Sequence, residues 1–263
     1  MVMGIVNLSP DSFYGESRCK TVEQALSTAE TMLEEGAGIL DIGAESSRPG
    51  SVPISVQEEI DRLLPVLIKL VEVAHIPISV DTYKAKVAHE VLKAGASIIN
   101  DITGLQQSEE MAQTISRFHA GVILMHMQGS PETMQDSPHY EDVVTEVIDY
   151  LQKSLAIAVS AGIDPEKIAI DPGIGFGKSD SHNLQLMKKL NRLQELSKPV
   201  LLGVSRKSLI GNILNVPVEE RLEGSLAATV VGLTHGVSII RTHDVRATCR
   251  AVKVAEAIMK EER

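Results

Sequence analysis

The stretch PISVDTYKAKVAHEVLKAGASIINDI, residues 77–102, contains two short apolar runs, PISVD and SIINDI, separated by a longer segment. Both runs are rich in isoleucine and valine and have the length of a buried strand, whereas the segment between them has the apolar spacing of a helix. A strand, a helix and a second strand in this order indicate a βαβ unit of a parallel sheet. The same alternation continues in both directions along the chain.

Eight such runs occur in the 263 residues. They are VMGIVN (2–7), ILDIG (39–43), PISVD (77–81), SIINDI (97–102), GVILMH (121–126), IAID (168–171), PVLLGV (199–204) and VSIIRT (237–242). Eight strand–helix pairs match a single (β/α)8 TIM barrel with parallel strands, whereas an open doubly wound sheet would need fewer units or a second domain. Because no linker or low-complexity tract interrupts the pattern, the sequence predicts one barrel domain over residues 1–263.

Composition and charge exclude several classes of protein. The chain is 43% apolar, which is enough to bury a large core, and its formal net charge of −10 argues against a nucleic-acid partner or an anionic membrane surface. The apolar run at residues 2–7 is too short to span a bilayer and lacks the pattern of a signal peptide. Cys19 and Cys249 lie far apart and fit neither a redox pair nor a zinc site, so we expect reduced thiols in a cytoplasmic protein.

Polar side chains close almost every predicted strand, at the end where TIM barrels place their chemistry. In chain order they are Asn7; Glu45, Ser47 and Arg48; Asp81; Asn100 and Asp101; His126; Asp171; Ser205, Arg206 and Lys207; and Arg241 with His243. A single Asp or Asn at a strand end is often a turn residue or a helix cap. Carboxylates, amides and cations that converge from eight strands on one mouth indicate a binding site instead. Three histidines are predicted to cap or pack rather than to bind a ligand: His119, His126 and His235.

The glycine-rich stretch DPGIGFGKS, residues 171–179, is close to a nucleotide-binding loop but fails that motif. A P-loop requires glycine at position 172, where Pro172 stands, and a dinucleotide-binding loop requires a third glycine where Lys178 stands. Asp171 would also repel a bound phosphate. We therefore expect the glycines to let the backbone turn tightly so that Asp171 points into the barrel mouth.

A buried carboxylate beside an amide suits a flat heterocycle whose ring N–H and exocyclic amino group donate together. Asp171 can accept both of these bonds, Asn100 can complement the remaining edge, and Lys207 can donate to a ring carbonyl. Guanine and pterin both carry such an edge. An anionic group attached to the heterocycle is indicated by three basic residues, Arg48, Arg241 and His243.

Eight segments resemble, in the same order, the signature motifs of the dihydropteroate synthase family. They are MGIVNLSPDSF (3–13), GAESSRPGS (43–51), SVDTYKAKVA (79–88), IINDITG (98–104), ILMHMQG (123–129), DPGIGFGKS (171–179), GVSRKSLIG (203–211) and IIRTHDV (239–245). Each segment alone is weak evidence, but eight in order are specific. The likeness runs from Met3 to about Val245, which is nearly the whole chain.

The resemblance implies a transferase of folate biosynthesis that condenses 6-hydroxymethyl-7,8-dihydropterin diphosphate with 4-aminobenzoate and releases diphosphate. By this likeness, the pterin would be held by Asp81, Asn100, Asp171 and Lys207, with Met125 and Phe176 as apolar walls. The diphosphate would be held by Asn7, Arg48, Arg241 and His243, with Mg²⁺ near Asn7. The 4-aminobenzoate site, where sulfonamides compete in this family, would be lined by Phe13, Pro49, Lys207 and Ser208. Ser47, which keeps the hydroxyl of the family's usual threonine, belongs to the same substrate-binding set. The resemblance also implies a homodimer, since family members are usually homodimers.

Within this set, the resemblance assigns the chemistry to Asp81, Lys207, Arg241 and His243. In an SN1-like path, cations and metal would stabilise the departing diphosphate while Asp81 offers negative charge to the cation that develops on the pterin.

The chain departs from the family at two points, and other interpretations stay open. Gly15 stands where the first loop usually has an aspartate, with Glu16 in the next position, and family members usually carry residues before the first strand, where this chain begins. A pterin-binding methyltransferase would share the barrel but would not need the diphosphate cluster. A catalytically silent pterin-binding homologue and a barrel of other chemistry are the remaining alternatives.

Overall fold

The computed structural model of the protein describes residues 1–8, 21–46 and 50–260. Its centre is a set of eight parallel strands that match the eight predicted runs, with ends that differ by at most two residues. The strands are Val2–Asn7 (β1), Ile39–Gly43 (β2), Ile78–Asp81 (β3), Ile98–Asp101 (β4), Gly121–Met125 (β5), Ile168–Asp171 (β6), Leu201–Gly203 (β7) and Ile239–Thr242 (β8).

Helices alternate with these strands and surround them. Those among the described residues are Val22–Glu34 (α1), Val56–Val73 (α2), Ala85–Lys93 (α3), Glu109–Arg117 (α4), Val143–Ser160 (α5), Asp180–Lys188 (α6), Ser208–Leu214 (α7), Leu222–Thr234 (α8) and Val245–Lys260 (α9). Hydroxyl side chains cap three of the helix starts by accepting backbone N–H groups: Thr21 for α1, Ser55 for α2 and Ser179 for α6. Within the described part of the chain, no helix is both long enough and apolar enough to cross a membrane.

The strands form a closed barrel. Neighbouring strands follow the chain order from β1 to β6, and β8 pairs with both β1 and β7. The gap between β6 and β7 is closed by a parallel bridge between Ile170 and Val200, and the Ile170 N–H donates to the carbonyl oxygen of Pro199 at 2.9 Å. An open doubly wound sheet would leave two edge strands unpaired. The predicted TIM barrel is therefore confirmed.

The inside of the barrel changes from apolar to polar along the strands. At the amino end, the inward side chains form an apolar cluster of Met3, Ile39, Ile123, Ala169 and Leu201, with Ile98 and Ile239 packed against it. Since side chains alternate between the two faces of a strand, the next inward residue comes two positions later. In β2, β4, β6 and β8 that residue is Asp41, Asn100, Asp171 and Arg241, respectively. The alternation thus places a polar layer directly above an apolar plug, at the carboxyl ends of the strands.

Candidate active site

One guanidinium joins several strands at the barrel mouth. Arg241 in β8 donates from Nε to Asp41 Oδ2 at 2.6 Å and from Nη2 to Asp81 Oδ2 at 3.0 Å. Asn100 in β4 donates its amide to the same Asp41 oxygen at 3.2 Å. The convergence that the sequence predicted for Asp81, Asn100 and Arg241 is confirmed, whereas their roles toward a ligand stay predictions.

The glycine turn after β6 holds Asp171 at this mouth. Asp171 Oδ1 accepts the Gly173 N–H at 2.7 Å, and only 6% of the residue is exposed. Gly173, Gly175 and Gly177 have φ angles of 67, 83 and 61°, which favour glycine. A Cβ atom on Gly173 would overlap the carbonyl oxygen of His126. The structure confirms that these glycines serve a tight turn that presents the carboxylate.

Lys178, which gave the turn its likeness to a phosphate-binding loop, points into its own loop. The residue is 2% exposed, and Nζ donates to the carbonyl oxygens of Gly173 and Phe176, each at 2.9 Å. Nζ also lies 2.8 Å from His126 Nδ1. Burial lowers the pKa of Lys178 well below its usual value, and burial together with the Lys178 charge lowers the pKa of His126 to about 2. His126 is therefore a neutral packing histidine, as predicted, and the lysine of this turn does not face a ligand.

An apolar wall lies beside Lys207, the residue at the start of α7. Lys207 Nζ donates to the carbonyl oxygen of Ile174 and lies 4.6 Å from the centre of the Phe176 ring. Phe176 packs against the buried cluster that contains Met125. Burial lowers the pKa of Lys207 to about 8, and the nearby Asp171 charge opposes this shift. A flat ring can lie against such a wall while a polar edge reaches the amine.

Two carboxylates of the mouth, Asp81 and Asp171, have perturbed pKa values. Burial raises the pKa of Asp81 to about 7; the Arg241 charge opposes this shift, and the Asp41 charge adds to it. Burial also raises the pKa of Asp171, against the charge of Lys207 and the hydrogen bond from the turn. Perturbed acids and bases in one concave site are typical of catalytic centres.

The rim carries three further predicted residues. His243 Nδ1 lies 3.0 Å from Ser205 Oγ, and the His243 backbone N–H donates to the same hydroxyl at 3.2 Å. Asn7 is partly buried at the end of β1, and Ser208 is exposed as the first residue of α7. His243 is thus held from the neighbouring strand end, with its ring orientation set by a hydroxyl.

Two of the predicted strand-end residues serve the scaffold instead. Arg206 donates to both carboxylate oxygens of Asp244, at 2.9 and 2.8 Å, and so ties the loop after β7 to the loop after β8. Asp101 accepts N–H groups from Thr103 and Leu105 at 2.8 and 2.9 Å and thereby closes the turn after β4. Their side chains are consumed by these contacts, so the expectation that they face the mouth is corrected.

Sequence reasoning missed a charged cluster next to the mouth. Lys84 Nζ donates to Glu45 Oε2 at 2.5 Å, to Glu59 Oε2 at 2.7 Å and to the carbonyl oxygen of Ile54 at 2.7 Å. The Ile54 N–H donates to the same Glu45 oxygen at 2.9 Å. Glu45 and Ile54 are therefore joined to each other directly and also through Lys84. Only Glu45 gave a signal in the sequence, because it follows a predicted strand.

Several predicted residues lie outside the described part of the chain. They are Phe13, Ser47, Arg48 and Pro49, together with Gly15, Glu16 and Cys19.

Comparison with known proteins agrees with this geometry. A family model described as "Pterin binding enzyme" matches residues 3–243. The dihydropteroate synthase of Escherichia coli K12 is 44% identical over 258 residues, which cover 98% of this chain and 91% of that protein.

Solved structures of relatives superimpose closely. The dihydropteroate synthase of Yersinia pestis, solved with a sulfonamide drug complex, has a TM-score of 0.95 and 44% identity, covering 99% of this chain and 94% of that one. The Xanthomonas albilineans enzyme in complex with 7,8-dihydropteroate has a TM-score of 0.87 and 40% identity, covering 99% of this chain and 93% of that one. With the eight motifs, the barrel and the carboxylate–cation mouth all in place, the chain belongs to the dihydropteroate synthases of the pterin-binding enzyme family.

Proposed function

We propose that this chain condenses 6-hydroxymethyl-7,8-dihydropterin diphosphate with 4-aminobenzoate and releases 7,8-dihydropteroate and diphosphate. The observation that carries the proposal is the buried Asp171 carboxylate at the mouth of a dihydropteroate synthase barrel, within electrostatic reach of Lys207 and Arg241. The Xanthomonas albilineans relative binds 7,8-dihydropteroate, the product of this reaction.

The pterin ring would be bound by acceptors on one edge and a donor on the other. One oxygen of Asp171 already accepts a backbone N–H, and the second can accept from the ring N–H and the exocyclic amino group. Lys207 can donate to the ring carbonyl, and Asn100 in β4 can complement the remaining edge. Met125 and Phe176 would cover a face of the ring. This division of roles follows from the chemistry of each group and from its position at one mouth.

The bond that breaks joins the pterin methylene carbon to a diphosphate oxygen, and its electron pair leaves with the diphosphate. Positive charge then develops on the electron-rich ring, where the carboxylate of Asp81 can stabilise it. The aniline nitrogen of 4-aminobenzoate attacks the carbon with its lone pair and afterwards loses a proton to water. An SN1-like order of events suits this weak nucleophile and requires no general base.

The leaving diphosphate would be met by Arg241, His243, Asn7 and Arg48, with Mg²⁺ as the cofactor. Among the described residues, no group of three or more acidic, histidine or cysteine side chains could hold a metal ion. Mg²⁺ is commonly held by one or two protein oxygens plus substrate phosphates, and the amide oxygen of Asn7 at the rim fits that mode. When bound, the ion would neutralise charge on the diphosphate.

The second substrate, 4-aminobenzoate, would enter beside α7. Lys207 and the exposed Ser208 lie at the start of this helix, and the resemblance adds Phe13, Ser47 and Pro49 from the two loops outside the described residues. The Yersinia pestis relative was solved with a sulfonamide drug. We expect sulfonamides to compete with 4-aminobenzoate here as well.

A homodimer and a cytoplasmic location complete the proposal. Helices α7, α8 and α9 carry apolar side chains that are at least 43% exposed in the single chain: Ile213, Leu214, Val231, Val254, Ile258 and Met259. These helices pack on one another in sequence, so their outer faces can supply an apolar interface. Cys249 is a free thiol, which supports the cytoplasmic location.

The test of the proposed function is diphosphate release by the purified protein, measured with and without 4-aminobenzoate. Release that requires both substrates and added Mg²⁺ supports the condensation. Tight binding of the pterin diphosphate without release would instead identify a silent pterin-binding homologue. Light scattering on the same sample gives the oligomeric state, and a monomer would contradict the dimer.

A further inference from the structure

Asp41 lies at the centre of β2, below the barrel mouth, with 0% of its surface exposed. The strand register pairs Gly43 with Asp81 and Asp41 with Ser79, two residues before Asp81 in β3. Arg241 and Asn100 both donate to Asp41 Oδ2, whereas Asp81 remains partly exposed at the mouth. Nothing in the sequence singled this residue out, since it lies within a strand rather than after one.

A carboxylate at this depth needs a physical reason, because burying a charge is costly unless the charge is paired and hydrogen-bonded. The layer below is apolar, with Ile39 two positions earlier in the same strand. The reason is Arg241, whose Nε donates to Asp41 Oδ2 at 2.6 Å, while its Nη2 donates to Asp81 at 3.0 Å. A guanidinium is a planar fork, so contacts on two of its sides fix both its position and its direction.

We propose that Asp41 is a positioning residue that anchors Arg241 beneath Asp81, and that sharing one guanidinium between two carboxylates leaves Asp81 only partly neutralised. Asp41 acts through Arg241 and does not touch the reacting atoms. The part of this inference that concerns turnover rests on the proposed function, whereas the part that concerns the charge of Asp81 does not.

Charged groups face Asp81 from several elements. Arg241 reaches it from β8, and Lys207 acts on it from the start of α7. The negative charges are Asp41 in β2, Glu59 in α2 and Asp101 in β4. Removal of the Asp41 charge should leave Arg241 to serve Asp81 alone, and so Asp81 should hold its proton less tightly.

The direct test is a carboxyl ¹³C NMR titration of the full-length, substrate-free protein labelled at aspartate. The Asp81 signal is identified by its disappearance in Asp81→Asn. Asp41→Asn keeps the size of the side chain and an acceptor for Arg241 but removes the charge. We expect the Asp81 midpoint to fall by about 1 unit or more from its wild-type value, which the structure places at about 7.

Two further variants make the test decisive. Ser79→Ala is the matched control, because Ser79 is the buried register partner of Asp41 and its hydroxyl has no hydrogen-bond partner among the described residues. The Asp81 midpoint in this variant should equal that of wild type. Arg241→Gln removes the shared cation, so the Asp81 midpoint should rise, and this variant decides the matter if Asp41→Asn does not fold. An unchanged or raised midpoint in folded Asp41→Asn, or a lowered one in Arg241→Gln, would overturn the proposal.

Turnover gives the second readout. In Asp41→Asn, the acidic limb of the pH profile of kcat/KM for the pterin diphosphate should move to lower pH together with the NMR midpoint. In an Asp81→Asn background, the same substitution should produce no such movement. An equal loss of rate at every pH, with no movement of the limb, would reduce Asp41 to a structural residue and refute the inference. If wild type releases no diphosphate at all, the proposed function fails, and the NMR titration still decides the role of Asp41.

Discussion

The substitution Asp171→Asn tests the pterin-binding assignment most directly. In the wild type, Asp171 Oδ1 accepts the Gly173 N–H at 2.7 Å, so this oxygen is fixed by the turn. An asparagine must keep its single oxygen on that N–H, because the alternative places two donors against each other. Its NH₂ group then faces the ring where a carboxylate oxygen stood, and the ring N–H and amino group lose their acceptor.

The magnitude follows from the bonds that are lost. A hydrogen bond to a charged group contributes about 1.5–3 kcal/mol, and a donor left facing a donor adds the cost of an unsatisfied buried group. We expect a loss of about 3 kcal/mol in binding free energy, which is roughly 150-fold in Kd for a pterin such as 6-hydroxymethylpterin. Calorimetry or quenching of pterin fluorescence measures it without any need for turnover.

The matched control is Asp101→Asn, another buried aspartate at the end of a strand. Both of its oxygens are used by the turn after β4, through Thr103 and Leu105, so its substitution should lower stability and leave pterin affinity within about threefold of wild type. If folded Asp171→Asn bound pterin as tightly as wild type, the assignment of Asp171 to the ring edge would be wrong.

Three further predictions concern the scaffold of the site. Gly173→Ala places a Cβ inside the carbonyl oxygen of His126 and should lower the unfolding free energy, measured in urea, by more than about 3 kcal/mol. In Gly175→Ala the new Cβ meets only the flexible side chain of Lys207 at 3.4 Å, so the loss should be about 1–2 kcal/mol. Equal losses in the two variants would contradict the turn geometry. Lys84→Met leaves the buried Glu59 and the partly buried Glu45 without their cation and should cost about 3–5 kcal/mol. Lys153→Met on the exposed face of α5 should change stability by less than about 0.5 kcal/mol. A small loss for Lys84→Met would show that the cluster is dispensable. The pKa of Asp81 is raised in the folded protein from 3.8 to about 7, so its proton contributes stability that is fully present below about pH 4 and is lost as the pH rises through 7. The fall in unfolding free energy that Asp81 causes between about pH 5 and about pH 8 should therefore be absent in Asp81→Asn. The same pH dependence in this variant as in wild type would refute the raised pKa.

Some features of the fold and the site could be predicted from the sequence because they depend on local patterns. The apolar runs placed all eight strands, since a strand buried on both faces must be apolar almost throughout. The polar residues at the ends of those runs or just after them included Asp81, Asn100, Asp171 and Lys207, because parallel strands of a barrel bring their carboxyl ends to one mouth. The missing glycine at position 172 excluded the P-loop, and the structure agrees, because the Lys178 amine donates to carbonyl oxygens of its own loop.

Other features depend on which distant residues become neighbours. Asp41 and Arg241 are 200 positions apart, and their contact exists only because β8 returns to pair with β1 and closes the barrel. The contacts of Lys84 likewise join Glu45 after β2 and Glu59 in α2 to the start of α3, and no local pattern in these segments indicates that the three residues pair. The direction of Arg206, which turns to Asp244 instead of the mouth, is set by hydrogen bonds that form after folding.

The sequence by itself thus determined the strands, their number and the set of polar groups that arrive at the mouth, because hydrophobic periodicity and strand polarity are local properties. The tertiary structure alone decided how those charges are paired and which acids keep their protons. Pairing and desolvation depend on distances across the closed barrel, and no local pattern in the chain encodes such distances.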